Sequence, residues 1–252
     1  GSVTLDHCTV HGNIDGVYLS GGTATVLDSV IANNSDDGVD QNSGSASVTD
    51  SNVWNNGGVD YEGTVSRTRT DSANPLFVSA GDLRLTSNSP SRFGAGDGSD
   101  QGALPYVSDA TPGLHGTLWT DTTVPAGSTT VAGDLTVAPG VTLTVPGGAT
   151  LVFSTSDLMG AHDNTSRVEL RVLGALVVNG TGATPATFTS SSTGIGSWEG
   201  VFFFPGGSGS SLRGLVVEWA RYGLHASGPG PSTATELTLR RNTYGAYATS
   251  GG

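Results

Sequence analysis

The chain of 252 residues contains no lysine, one cysteine and one methionine, and charged side chains make up only 13% of it. Arginine therefore supplies every fixed positive charge, and acids outnumber bases 22 to 10, for a formal net charge of −12. A surface so acidic does not suit phosphate backbones, so nucleic acid is not an expected partner. With Cys8 alone, no internal disulfide can form, and its place in an alternating run marks it as a small buried apolar residue. No apolar run approaches the ~20 residues a membrane helix needs, and no signal peptide is visible. A helical hydrophobic period is also missing.

What is present is a repeat. VTLDHCTVHGNIDGVYLSGG begins at Val3, TVLDSVIANNSDDGVDQNSG at Thr25 and SVTDSNVWNNGGVDYEG at Ser47. Asp6, Asp28 and Asp50 fall 22 residues apart, as do Leu5 and Leu27, Asp15 and Asp37, Gly16 and Gly38, and Val17 and Val39. The third copy reads as two residues shorter at its corner, so that Val59 follows Val39 by 20. A unit this short cannot bury an apolar face alone; it must stack on its neighbours. The period lapses from Ser66 to Gly116, a stretch holding Pro75, Pro90 and Pro105, then strand-like runs such as TTVAGDLTV, VELRV and GVFFF resume. Val217 and Leu239, Glu218 and Arg240, and Tyr222 and Tyr244 again lie 22 apart. Trp198, Phe202 and Phe204 read as packing residues, Glu218 and Arg240 as an ion pair between turns, and Arg221 and His225 as solvent-facing.

NIDGV (Asn13 to Val17), SDDGV (Ser35 to Val39) and RYGL (Arg221 to Leu224) carry a Gly-Val or Gly-Leu step after a polar corner. In this they resemble the right-handed parallel β-helix repeats of the pectate-lyase-like superfamily. NPLF…DLRL…NSPSRFGAGDGSDQGALPY is similar to the closing segment that follows such repeats in large secreted bacterial proteins, and TTVPAGSTTVAGDLTVAPGVTLTVPGGATLVF to the opening block of a fresh β-helix. The expected fold is thus all-β: a right-handed parallel β-helix, a solenoid of about 22 residues per rung, interrupted by an irregular cap and linker. Residues 1–65 form the end of an N-terminal β-helix, 66–116 the cap and linker, and 117–252 a second β-helix. The chain opens inside one repeat and stops inside another, so it reads as a piece of a longer polypeptide whose targeting signal lies elsewhere.

The resemblance specifies fold better than activity, because the superfamily holds lyases, hydrolases, adhesins and proteins without assigned chemistry. The leading expectation is a non-catalytic, extracellular or cell-surface array, structural, adhesive or filament-forming. Its partners would be itself, neighbouring repeats of a longer chain, or polysaccharide. The alternative is a polysaccharide lyase or glycoside hydrolase working through corner acids Asp37, Asp40 and Asp60, with Asp40 and Asp60 about 5 Å apart on adjacent rungs, the separation of a retaining pair. Against it, no Arg precedes Arg67, so the basic partner that lyases of this superfamily use is missing from that face. A carbohydrate-binding module without turnover is the third reading. A groove lined by aromatics beside acids would favour sugar handling; a flat polar face would favour scaffolding. No catalytic residue, cofactor or metal is assigned. Calcium is the one ion weighed, at the Asp6/Asp28/Asp50 ladder or at Asp36, but the sequence supplies too few of the six to eight oxygens calcium takes. Asp97 to Gly102 echoes a calcium loop but lacks its twelfth-position acid, where Ser108 stands. Asn33, Asn164 and Asn179 fit the glycosylation pattern, which carries little weight in a bacterial setting.

Overall fold

A computed structural model of the chain describes residues 1–206 and 209–249. Among them strands are the only regular element, and almost all pair in parallel. The chain divides into two compact units, Gly1–Thr111 and Pro112–Gly252.

In the first unit, Ser2–Asp6, Val17–Leu27 and Val39–Thr49 lie side by side, and Tyr61–Glu62 and Ser66–Thr68 both pair with the last of these. A second sheet joins Thr9–His11, Val30–Ala32 and Asn52–Trp54. The alternation read from sequence places Val17, Ala24, Val26, Val39, Ala46, Val48 and Val53 in one buried cluster. Val17 stands beside Val39 in register.

Two register expectations are corrected. Leu5 stands beside Val26, not Leu27, because the first step is 21 residues. The first copy is one residue short at its corner: Asn13 matches Asn34, while Val17 matches Val39. Strands before that corner register at 21 and those between the second and third copies at 22, while Ser66–Thr68 meets Val39–Thr49 at 19. The third copy is full length at its corner, so Tyr61, not Val59, takes the slot of Val39.

Side chains and backbone amides seal the corners. Asn34, 2% exposed, accepts from the Asn13 backbone N–H at 3.0 Å through Oδ1 and donates through Nδ2 to Asn56 Oδ1 at 2.9 Å. One turn on, Asn56 Oδ1 also accepts from the Asn34 backbone N–H at 3.1 Å. A serine column does the same: the N–H of Cys8 donates to Ser29 Oγ at 3.0 Å, and the N–H of Ser29 to Ser51 Oγ at 3.0 Å. Cys8 therefore occupies a serine-type position. It is half-buried, with Sγ 3.4 Å from the Asp6 carbonyl, rather than packed in the apolar core.

The repeated Gly step has a steric cause. A Cβ on Gly16 would lie 2.4 Å from the Gly38 carbonyl oxygen, on Gly38 2.6 Å from that of Asp60, and on Gly223 2.4 Å from that of Gly245. In each case the obstacle is the backbone one turn on.

From Asn74 to Tyr106 the first unit is irregular apart from an antiparallel hairpin, Phe77–Ser79 with Asp82–Leu85. This segment lies against the stacked turns. Gln101 Nε2 donates to the Asp50 carbonyl at 2.9 Å, and Asn52 Nδ2 to Ser91 Oγ at 2.9 Å.

In the second unit the long strand Gly127–Val137 serves two arms. Its first half pairs with Ala149–Phe153 and its second half with Glu169–Val172. One arm continues through Ala186–Ser190 and Leu215–Glu218 to Thr238–Arg240, the other through Trp198–Phe203 and Ala220–Ala226 to Tyr244–Ala248. The arms end on strands consecutive in the chain, which gives this ten-stranded parallel sheet a nearly closed, barrel-like outline. A five-stranded parallel sheet runs from Thr122–Thr123 to Thr233–Thr235. The core between them holds Phe153, Phe188, Phe203 and Trp198, whose indole stacks on Phe153 at 3.9 Å. Val217 stands beside Leu239, and Arg240 Nε donates to Glu218 Oε2 at 2.8 Å, the pair between turns that the spacing predicts.

Candidate functional site

Four residues with left-handed backbones, His7, Asp28, Asp50 and Arg69 (φ 49, 50, 48 and 48°), stack at one corner of the first unit. The first three donate their N–H to the neighbouring turn: His7 to Leu27, Asp28 to Thr49 and Asp50 to Thr68. The three-aspartate ladder is thus not formed, because Asp6 pairs with Leu27 and His7 takes its expected place. Asp6 accepts from His7 Nδ1 at 2.8 Å, and His7 Nε2 meets Ser99 Oγ at 3.0 Å. Asp28 Oδ1 accepts the Gly96 N–H at 2.6 Å. Asp50 is held by a two-pronged contact from Arg69, whose hydrogen bond and charge keep the carboxyl below its ordinary value. Asp6, His7 and Asp28 bring one ligating atom each to within 4.8 Å of one another, but two acids and a histidine fall short of a calcium shell.

At the next corner Asp15, Asp36 and Asp37 approach equally closely. Their backbone geometry accounts for this: Asp15 Oδ1 accepts the Asp37 N–H at 3.3 Å, and Asp37 Oδ1 the Val59 N–H at 2.8 Å. Asp40 does not face Asp60. Its register partner is Glu62, because the full-length third corner shifts Asp60 to the slot of Gly38. Asp60 accepts from Asn56 Nδ2 at 2.8 Å and Ser72 Oγ at 2.9 Å. Partial burial first, then the charges of Asp37, Asp15 and Asp36, raise the Asp40 carboxyl. Among the described residues no arginine pairs with these corner acids. The Asp97–Gly102 stretch is a packing turn: Asp97 accepts from the Ser99 N–H, and Asp100 from the N–H groups of Phe93 and Tyr106.

The second unit holds two groupings that the sequence reading passed over. The first is a set of buried acids. Asp134 is 1% exposed and Glu169 fully buried. They are neighbours on adjacent strands, with the Glu169 N–H 2.6 Å from Asp134 Oδ1. Asp134 Oδ2 and Glu169 Oε1 have no hydrogen-bond partner. Burial, reinforced by the charge of Asp157, pushes Asp134 up to about 9. Burial pushes Glu169 up to about 7 against the opposing pull of Arg171. Asp157 belongs to the segment between Phe153 and Glu169, and it accepts the N–H groups of Asp134 and Met159 at 2.9 Å each. At neutral pH this grouping keeps at least one carboxyl in its neutral form, because an ionised, unpaired carboxylate is too costly there. Buried so deeply, the acids cannot reach a polysaccharide. The available signal was an acid at an alternating strand position, Asp134 in GDLTV and Glu169 in VELRV, followed or preceded by an unusually long connection.

The second grouping is aromatic. Arg171, Phe202, His225 and Tyr247 stand in one column of register partners, with Gly200, Tyr222 and Tyr244 in the next. Tyr222 stacks on Tyr244 at 5.3 Å, and His225 meets Phe202 at 4.8 Å and Tyr247 at 5.0 Å. Phe202 and Phe204 thus point outward from the sheet, unlike Trp198, and the Arg171 guanidinium covers the Phe204 ring at 4.4 Å. Next to them Glu199, almost buried, receives Arg221 at 3.0 Å, Arg167 at 3.3 Å and Asn164 at 2.9 Å.

No family model, curated protein or solved structure matches the chain. Among the described residues no helix is long and apolar enough to cross a membrane. The class the fold defines is therefore an all-β protein of stacked parallel strands, and its function has to be argued from the groups above.

Proposed function

We propose that the chain is a non-catalytic, structural and adhesive element of an extracellular or cell-surface protein, built as two stretches of right-handed parallel β-helix. Parallel pairing of each strand with the one a turn later, at steps of 21 and 22 residues in the repeats of the first unit and the last turn of the second, and of 29 to 37 residues between, supports the coil. Its hand follows from the right-handed twist of strands, which governs parallel crossovers. The likeness of the 74–106 and 122–153 segments to parts of large secreted proteins supports the location.

One observation carries the non-catalytic reading. Corner acids are engaged by the main chain of the next turn, as Asp37 is by the Val59 N–H, and Asp40 faces Glu62 rather than Asp60. The Asp40/Asp60 pair on which the hydrolase reading rests is not formed, and among the described residues no arginine stands in an ion pair with these acids. Self-association with a second copy or with further repeats suits the unpaired strand edges that stacked coils present.

The test is a turnover panel. Reducing-end and unsaturated-product absorbance assays are run over acidic and neutral polysaccharides, with and without millimolar calcium. No product is expected in any well, and calcium should move the melting temperature by no more than a few degrees. Activity lost in both Asp40→Asn and Asp60→Asn, with folding intact, would sink the proposal.

A further inference from the structure

The aromatic columns of the second unit meet the criterion that the acid corners of the first unit fail. Tyr244 and Tyr247 are 46% and 40% exposed, and Tyr222 and His225 lie partly exposed beside them. The four rings contact one another at 5.0 to 5.5 Å: Tyr222 with Tyr247 at 5.2 Å, Tyr244 with Tyr247 at 5.5 Å, Tyr222 with His225 at 5.2 Å. A continuous exposed aromatic surface of this kind marks an interaction site rather than chance exposure. Phe202, 5% exposed, sits at the base of the patch.

The chemistry of the patch narrows its occupant. Each of the three tyrosines carries a phenol hydroxyl, whereas His225 Nδ1 is buried and its Nε2 lies 3.4 Å from Thr249 Oγ1. Rings of this type present an apolar body with a wet edge. The arginines beside the patch are each engaged in an ion pair, Arg171 with Glu169 and both Arg167 and Arg221 with Glu199. None is left free to grip a uronate, sulfate or phosphate, and the chain as a whole carries −12. A pyranose ring has apolar C–H faces and a rim of hydroxyls, which matches amphipathic rings bordered by hydrogen-bonding groups.

We propose that this outer face of Trp198–Phe203, Ala220–Ala226 and Tyr244–Ala248 binds a neutral polysaccharide, laid across Tyr222, His225, Tyr244 and Tyr247. The assignment rests on the adhesive part of the function proposed above, and it names the surface and the ligand class. Tyr244 and Tyr247 supply the contact area. The phenol hydroxyls fix the sugar hydroxyls, and the His225 ring adds apolar contact area.

The experiment is affinity electrophoresis and calorimetry of the full chain with soluble xylan, mixed-linkage β-glucan and starch, against polygalacturonate as the anionic control. At least one neutral polymer should bind. The Tyr244→Ala, Tyr247→Ala double variant should weaken that binding about tenfold or more, while Tyr244→Phe, Tyr247→Phe keeps most of it. Tyr18→Ala, an exposed aromatic of the first unit, should leave it unchanged. Circular dichroism of every variant should match the parent.

Binding to none of the three neutral polymers overturns the assignment. So does binding confined to polygalacturonate, or binding untouched by the double alanine variant. Sedimentation that shows a dimer lost in the alanine variant, without glycan binding, would assign the patch to a second copy instead and also overturn it. Reducing ends released from a bound polymer would sink the non-catalytic reading while leaving the binding surface in place, so the two failures are distinguishable.

Discussion

At the scale of the residue, each turn is fixed by a few side chains that reach the backbone of the next. Asn34 is the clearest. Replacing it with Ala leaves the Asn13 N–H without its acceptor and removes one of the two donors to Asn56 Oδ1, in a nearly closed corner. Orphaned buried groups cost roughly 1–3 kcal/mol each, so Asn34→Ala should lower the urea-unfolding free energy by about 2 kcal/mol or more. A change below about 0.5 kcal/mol would mean the asparagine column is decorative. Corner chemistry was legible beforehand, since Asn, Asp and Gly recur there. The reason for the glycines was not: at Gly16, Gly38 and Gly223 the constraint is a carbonyl of the adjacent turn, a long-range contact that no local rule reports. Cys8 was misplaced for a similar reason. Its role as a serine substitute shows only when Ser29 and Ser51 are seen stacked on it.

At the scale of the element, alternation placed the strands well but matched them imperfectly. Sequence identity aligned Asp6 with Asp28, while the fold aligns His7 with Asp28. Identity tracks letters, whereas register follows corner length, and one residue missing between Asn13 and Gly16 shifts everything upstream. The same error produced the Asp40/Asp60 pair. The second unit hid its acids differently: Asp134 and Glu169 look like ordinary outward residues until the segment around Asp157 is seen to cover them. Their chemistry gives a test. Both pKa values are raised in the folded protein, to about 9 and about 7, so the folded state holds protons that the unfolded chain releases near pH 4. Their contribution to stability is fully present below the unfolded values and is lost as pH rises through the folded ones. Urea midpoints of the second unit's transition should therefore fall between pH 5 and pH 9 (window set by these shifts). Asp134→Asn, which keeps the acceptor for the Glu169 N–H, should flatten that slope. A slope identical in the variant would show that the carboxyl titrates as if exposed.

At the scale of the whole molecule, turns lie on turns in parallel, 21 or 22 residues apart where the repeat is legible and 29 to 37 apart through the middle of the second unit, where the expected rung of about 22 does not hold. The repeat made the stacking legible, and the wide spread of apolar residues along both units follows from it, because each turn contributes only a few side chains to a shared core. The most direct test is a register cross-link in solution. In a Cys8→Ser background, which restores the serine column, Thr25→Cys with Ser47→Cys places two thiols on register partners of adjacent strands. Neighbouring strands lie ~4.8 Å apart, within the Cα separation of ~4.4–6.8 Å that a disulfide spans. Mild oxidation followed by peptide mass spectrometry should find this pair joined in most molecules, and Thr25→Cys with Thr49→Cys, displaced by two positions, should remain free. Cross-linking of the displaced pair, or of neither, would contradict the parallel stacking on which every other conclusion stands.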